Sequence, residues 1–285
     1  MRVPLRTGRD GAPKRAAQLR KPKPPRTRAV TIDSIKSRYV RRLNNLHVGT
    51  QVTVSALRLQ LEKIEGDGRK EQLHYFRVPS SGGQPIARIN RDERGMRELL
   101  QSMIDSGEYA KALLSAVSIT EDFVANMLRL TLRAYPDRLL RGRRNGEAAQ
   151  VVELSAIIGR TAEQVVDGVI QQRLRRLMLG SPKDYLRCAK DWFDIVLNDA
   201  VVASFVEIKA TRDVIVHSDG VTDDTYAQKA GDLARARAGS TLPINRTYFD
   251  AAIATMKVLI ATFSESLSKQ HGADRRLLEV LRSIE

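Results

Sequence analysis

The chain has 285 residues, 42% of them apolar, enough for one large domain or two small ones around a sizeable core. Lys and Arg total 48 against 33 Asp and Glu, a formal charge of +15 that favours a polyanionic partner and says nothing about fold. A single cysteine, Cys188, excludes an internal disulfide framework and a cysteine-based zinc site, and no run of about 18 apolar residues suggests a membrane helix. A reducing, cytoplasmic setting with no membrane partner is the expectation.

The charge is uneven. Residues 1–28 hold ten basic side chains and one acid, Asp10, and so carry +9 of the +15. The segment also contains Pro4, Pro13, Pro22, Pro24 and Pro25 and no aromatic residue. It lacks the apolar surface to order itself and reads as a disordered basic tail. Either it adds non-specific phosphate contacts or it only solubilises the chain. It lacks the apolar stretch of a secretory signal, and its prolines fit a transit peptide poorly.

In chain order, residues 31–65 read as helix, with Thr31, Asp33 and Ser34 as caps and Leu43, Leu46, Leu57, Leu59, Leu61 and Ile64 as apolar positions. Residues 72–90 change character: two short β-prone runs flank Pro79-Ser80-Ser81-Gly82-Gly83, a small hairpin or a long loop. From Glu108 the helical spacing is nearly continuous through Leu113, Val117, Thr120, Val124, Met127, Leu128 and Thr131, up to Pro136. A second helical run is expected from Glu147 to Gly159. Thr161 and Gln164 have capping-box spacing, and Ser181-Pro182 has the form of an N-cap followed by proline. The helix after Ser181 is expected to carry Trp192, Phe193, Val196 and Leu197. Asn198 and Asn245 are caps for two further helices. The expectation is an all-α fold: a helical bundle over 105–285, a less regular region over 29–104, and the basic tail.

The stretch Arg212-Asp213-Val214-Ile215-Val216-His217-Ser218-Asp219-Gly220 carries the most chemistry. Asp213 and His217 are four apart and share a helical face, so the carboxylate can orient the ring. Arg212 is five before His217, about 140° away on an ideal helix. The two converge only through arginine's length, a bent helix end or a second subunit. Arginine holds phosphate, and histidine moves a proton near neutral pH, so the set suits phosphodiester chemistry. The plainer alternative is a helix end with an Asp–His pair.

This segment, with Asp219-Gly220-Val221 and Tyr226 after it, resembles the signature of the HEPN superfamily: arginine, a polar residue, apolar residues, then histidine. Ser118-Ile119-Thr120-Glu121-Asp122-Phe123 resembles the first helix of these domains, and Ile244-Asn245-Arg246-Thr247-Tyr248-Phe249 the start of the last. The resemblance covers roughly 105–265 and is nearest to the group typical of bacterial defence and stress systems. It implies a metal-independent endoribonuclease without cofactors that acts as a homodimer. Arg212 would contact the scissile phosphate, His217 would be acid/base or position the 2′-hydroxyl, and Asp213 would orient His217. The products would carry a 2′,3′-cyclic or 3′-phosphate and a 5′-hydroxyl. Some relatives are toxins held by a cognate antitoxin, and others are inactive RNA-binding or scaffold proteins. Some toxins have a tyrosine two residues after the histidine; Asp219 stands there here, which argues against that mode of control.

Other groups are weaker candidates. Arg141, Arg143 and Arg144 sit in an expected loop, where they can bind RNA or simply be solvated. Arg173, Arg175 and Arg176 suggest a solvated face or an RNA track. His47, His74 and His271 are isolated and read as structural or exposed. Tyr226 reads as packing. The acids Asp213, Asp219, Asp223 and Asp224 would repel RNA unless paired.

Overall fold

The computed structural model describes residues 30–66, 73–80, 86–140, 153–154 and 157–284. The basic tail, Arg141, Arg143, Arg144 and most of the helical run expected from Glu147 lie outside the described residues. Within them the fold is all-α with one small antiparallel sheet.

Helix α1 (Ile32–Gly66) opens with a reciprocal cap: Ser34 N–H donates to Thr31 Oγ1 at 3.0 Å, and Thr31 N–H to Ser34 Oγ at 2.8 Å. It buries Ile32, Ile35, Tyr39, Leu43 and Val54, whereas Leu59 is exposed. Strands β1 (His74–Pro79) and β2 (Ile86–Arg91) pair antiparallel, with His74 opposite Arg91 and Pro79 opposite Ile86. Helix α2 (Glu93–Ser102) follows, capped by Asp92 on Gly95 N–H at 2.8 Å. A π-helical turn, Met103–Gly107, carries it into α3 (Glu108–Ala134).

Helix α3 is the central post. It packs against α1, α4 (Ala162–Met178), α6 (Asp199–His217), α8 (Arg246–His271) and α9 (Arg275–Arg282). Phe123 and Phe263 meet edge-to-face at 5.7 Å in the shared core, which also takes in Leu43, Trp192, Phe205 and Phe249. Burying each such ring contributes roughly 1.5–3 kcal/mol. The first half of α1 lies in this same core, while Ile64, Met96 and Leu100 form a small separate cluster where α1 meets α2. Thr120 and Thr131 fit the apolar face of α3 by bonding their hydroxyls to Ala116 O and Met127 O at 2.9 and 2.7 Å.

The expected capping box at Thr161 and Gln164 is formed, and Ser181 caps α5 (Pro182–Phe193) with Pro182 in the first turn. The helix stops at Phe193, short of Val196 and Leu197. Asp194 takes a left-handed conformation, φ +57°, which a short acidic side chain tolerates and a continuing helix does not. Val196 is consequently exposed in the connection to α6. Asn198 caps α6, Asp223 caps α7 (Asp224–Ala230) and Asn245 caps α8. No helix among the described residues is long and apolar enough to cross a membrane.

Candidate active site

Arg212, Asp213 and His217 occupy the last turns of α6. The helix ends because Asp219 and Gly220 both have positive φ, +47° and +83°; the second is a position that strongly favours glycine. Ser218 and Gly220 N–H both bond Val214 O, at 3.0 and 3.2 Å. The chain after His217 is then clamped. Leu242 N–H donates to Gly220 O at 2.8 Å, Thr222 N–H to Ser240 O at 3.0 Å, and Gly239 N–H to Thr222 O at 2.7 Å. The Thr222 hydroxyl bonds Arg237 O and Ser240 O as well. His217 therefore leaves a fixed helix end.

Arg212 and His217 line one open cleft of about 600 Å³, together with Lys209, Asp213, Lys229 and Glu121. The separation of about 140° on an ideal helix does not keep them apart within one chain. Met178, Leu179, Ser181 and Pro182 form a further wall where α4 gives way to α5. The N-terminus of α5 thus adjoins the cleft, and a helix N-terminus favours anions. Three permanent cations against two carboxylates leave the cleft net positive.

The carboxylates are engaged. Asp213 Oδ1 accepts from Arg212 Nη1 at 3.2 Å and lies 3.8 Å from Lys209 Nζ; Oδ2 meets Lys229 Nζ at 3.3 Å. Glu121 pairs with Lys209 at 3.2 Å and accepts a long bond, 3.4 Å, from the Tyr185 hydroxyl. Burial, reinforced by Glu121, raises the Tyr185 pKa far above that of an ordinary phenol, so it stays a donor. His217 is exposed and makes no hydrogen bond or ion pair among the described residues. The expected orientation of His217 by Asp213 is not what is found: three cations compete for that carboxylate and hold it. Arg212 Nε is buried without a partner, which costs about 1–3 kcal/mol unless an acceptor arrives.

The same helix carries a buried network whose centre, Glu207 with Arg235, has no signal in the sequence. Glu207 on α6 is 5% exposed. Its Oε1 accepts from Thr211 Oγ1 at 2.7 Å, from Tyr226 OH at 2.9 Å and from Arg235 Nε at 3.0 Å; its Oε2 accepts from Tyr248 OH at 2.9 Å. Arg235 also bonds Thr211 Oγ1 and Pro243 O, and its guanidinium lies 3.4 Å from the Tyr248 ring centroid. The network ties α6 to α7, α8 and the segment between them. It makes Tyr226 a structural residue, 1% exposed.

Other candidates have ordinary partners. Asp223 accepts from Tyr226 N–H as the α7 cap. His47 bonds Asp250 at 2.6 Å and stacks on Phe249; His271 donates Nε2–H to Phe193 O at 3.2 Å. Arg175 and Arg176 are exposed in the last turn of α4. Among the described residues, no group of three or more His, Cys, Asp or Glu side chains is placed to hold a metal ion.

No family model matches the chain, and no curated protein or solved structure matches it.

Proposed function

We propose that the chain is an endoribonuclease of HEPN type that cuts RNA at the α6 cleft and serves defence or growth arrest. One observation carries this reading: Arg212 and an exposed, unpartnered His217 share one open, net positive cleft. Arg212, with Lys209 and Lys229, holds the scissile phosphate. The RNA 2′-oxygen attacks phosphorus, the P–O5′ bond breaks, and a 2′,3′-cyclic phosphate and a 5′-hydroxyl result. One proton leaves the 2′-hydroxyl and one reaches the 5′-oxygen. His217 handles one of these transfers. A second chain placed across the cleft supplies a second imidazole for the other, which is the reason to expect a homodimer.

A second reading has its own support. With Asp213 held by cations, His217 lacks an orienting partner within the chain. An RNA-binding protein without cleavage activity would tolerate that. Labelled RNA incubated in EDTA with wild type, Arg212→Ala and His217→Ala separates the two. Cleavage by wild type alone supports the nuclease. Intact RNA in all three, with binding retained, supports the second reading. A cognate antitoxin belongs to the first reading as its form of control.

A further inference from the structure

The β1–β2 hairpin lies outside the cleft, and the ribonuclease reading does not use it. Between Leu73 and Arg91 the chain has no acidic residue, and it carries Arg77, Arg88 and Arg91. The pairing register puts Tyr75 opposite Asn90, Arg77 opposite Arg88 and Pro79 opposite Ile86. Strand residues alternate between faces, so these six share one. Every one of them is exposed, Tyr75 at 68%; on the other face His74, Val78 and Ala87 are partly covered and Phe76, Ile89 and Arg91 are exposed.

Two arginines directly opposite on one sheet face repel each other at a Cβ separation of about 4.5–5.5 Å. A two-stranded hairpin is marginally stable by itself and gains nothing from such a pair. Neither the Arg77 nor the Arg88 side chain has a carboxylate or hydrogen-bond partner among the described residues. An anion between them removes the repulsion. Beside them, Tyr75 presents a free ring and Asn90 an amide. Paired cations flanked by an exposed aromatic match a chain that alternates phosphates with flat bases. A duplex hides its base faces and does not satisfy Tyr75.

We propose that this face of the hairpin binds single-stranded RNA. Arg77 and Arg88 take backbone phosphates, Tyr75 stacks on an unpaired base, and Asn90 bonds that base's edge. The choice of RNA rests on the ribonuclease reading; the contacts themselves do not require cleavage.

The test is a fluorescence-anisotropy titration of a short labelled single-stranded RNA at several salt concentrations. It uses the full chain carrying His217→Ala, so that the RNA stays whole. Adding Arg77→Gln and Arg88→Gln together should weaken binding and reduce the slope of log affinity against log salt by about 1.4. Arg77→Lys with Arg88→Lys should keep the slope. Tyr75→Ala should weaken binding by roughly fivefold to a hundredfold with the slope unchanged. The proposal is overturned if the glutamine pair retains full affinity and slope. It is also overturned if duplex RNA of the same sequence binds as tightly as the single-stranded RNA. Failure of the ribonuclease reading shows separately, as absence of cleavage by the wild-type chain.

Discussion

The Asp213 carboxylate meets the Lys229 ammonium at 3.3 Å, joining the end of α6 to α7 across the edge of the cleft. The same carboxylate also holds Arg212 and lies near Lys209, so one acid restrains three phosphate-binding candidates. Replacing it by a neutral isostere releases them. Asp213→Asn is expected to tighten RNA binding by about twofold to fivefold and to destabilise the fold by less than about 1 kcal/mol, since such partly exposed pairs contribute little. RNA titration and urea unfolding of the variant measure both. Weaker RNA binding by Asp213→Asn would show that the acid organises the cleft rather than restraining it.

His217 contributes little to packing. His217→Ala is expected to abolish cleavage, a loss of at least about a hundredfold, with stability changed by no more than about 0.5 kcal/mol. Arg212→Ala should do the same to activity. Single-turnover cleavage and thermal unfolding monitored by circular dichroism, run on the same preparations, check the pair. Full activity in either variant removes the assignment.

One chain offers one imidazole in the cleft. On the proposed homodimeric ribonuclease, specific activity should fall on dilution through the dissociation constant of the proposed dimer. Activity assayed beside analytical ultracentrifugation over the same concentrations tests this. Constant activity per chain in a monomeric sample would overturn the two-chain site.

The local signals in the sequence translate well into structure. Thr161 with Gln164, Ser181-Pro182, Asn198 and Asn245 are each visible as caps, because a cap depends on residues within a few positions. Helix α2 is hard to see because its cap, Asp92, directly follows β2 and only Met96 and Leu100 mark its buried side. Helix α9 follows α8 after Gly272 and reads as its continuation. At the site, Arg212 and His217 are legible as a short motif. Lys229 and Glu121 are not, because tertiary packing alone brings them to Asp213 and Lys209. The same holds for Arg235, whose partner Glu207 lies 28 residues away.

Glu207 is a buried charge satisfied by four donors. Removing it takes the carboxylate from the partly buried Arg235 guanidinium, which keeps Thr211 Oγ1 and Pro243 O, and leaves the Tyr226 and Tyr248 phenols without their acceptor. Glu207→Ala is expected to cost about 3–5 kcal/mol, and Tyr248→Phe, which removes one donor, about 1 kcal/mol. Combining Glu207→Leu with Arg235→Met should recover much of the loss, because no unpaired charge remains. Urea unfolding of the single and double variants completes the cycle. Equal destabilisation by Glu207→Ala and Tyr248→Phe would show that Glu207 is not the hub.

Alkaline pH probes the interior as a whole. Burial raises the pKa of Tyr39, Tyr135, Tyr185, Tyr226 and Tyr248 above the usual phenol value, to about 12 for Tyr39, where Asp122 adds to the effect. Glu121 adds to it at Tyr185, and Glu207 at Tyr226 and Tyr248. The folded chain therefore keeps protons that the unfolded chain releases near pH 10. Stability from these groups is full below about pH 10 and falls as pH rises beyond it, by up to about 1.4 kcal/mol per pH unit for each tyrosine. Several such groups titrating together make the loss steep. On raising the pH, the phenolate absorbance of these tyrosines should appear together with loss of helical circular dichroism, in one transition above pH 10. Substituting Tyr39 by Phe should make the stability curve shallower between about pH 10 and 12. Phenolate absorbance that develops fully while the helical signal stays intact would mean that these hydroxyls are open to solvent, and the buried network around Glu207 would lose its support.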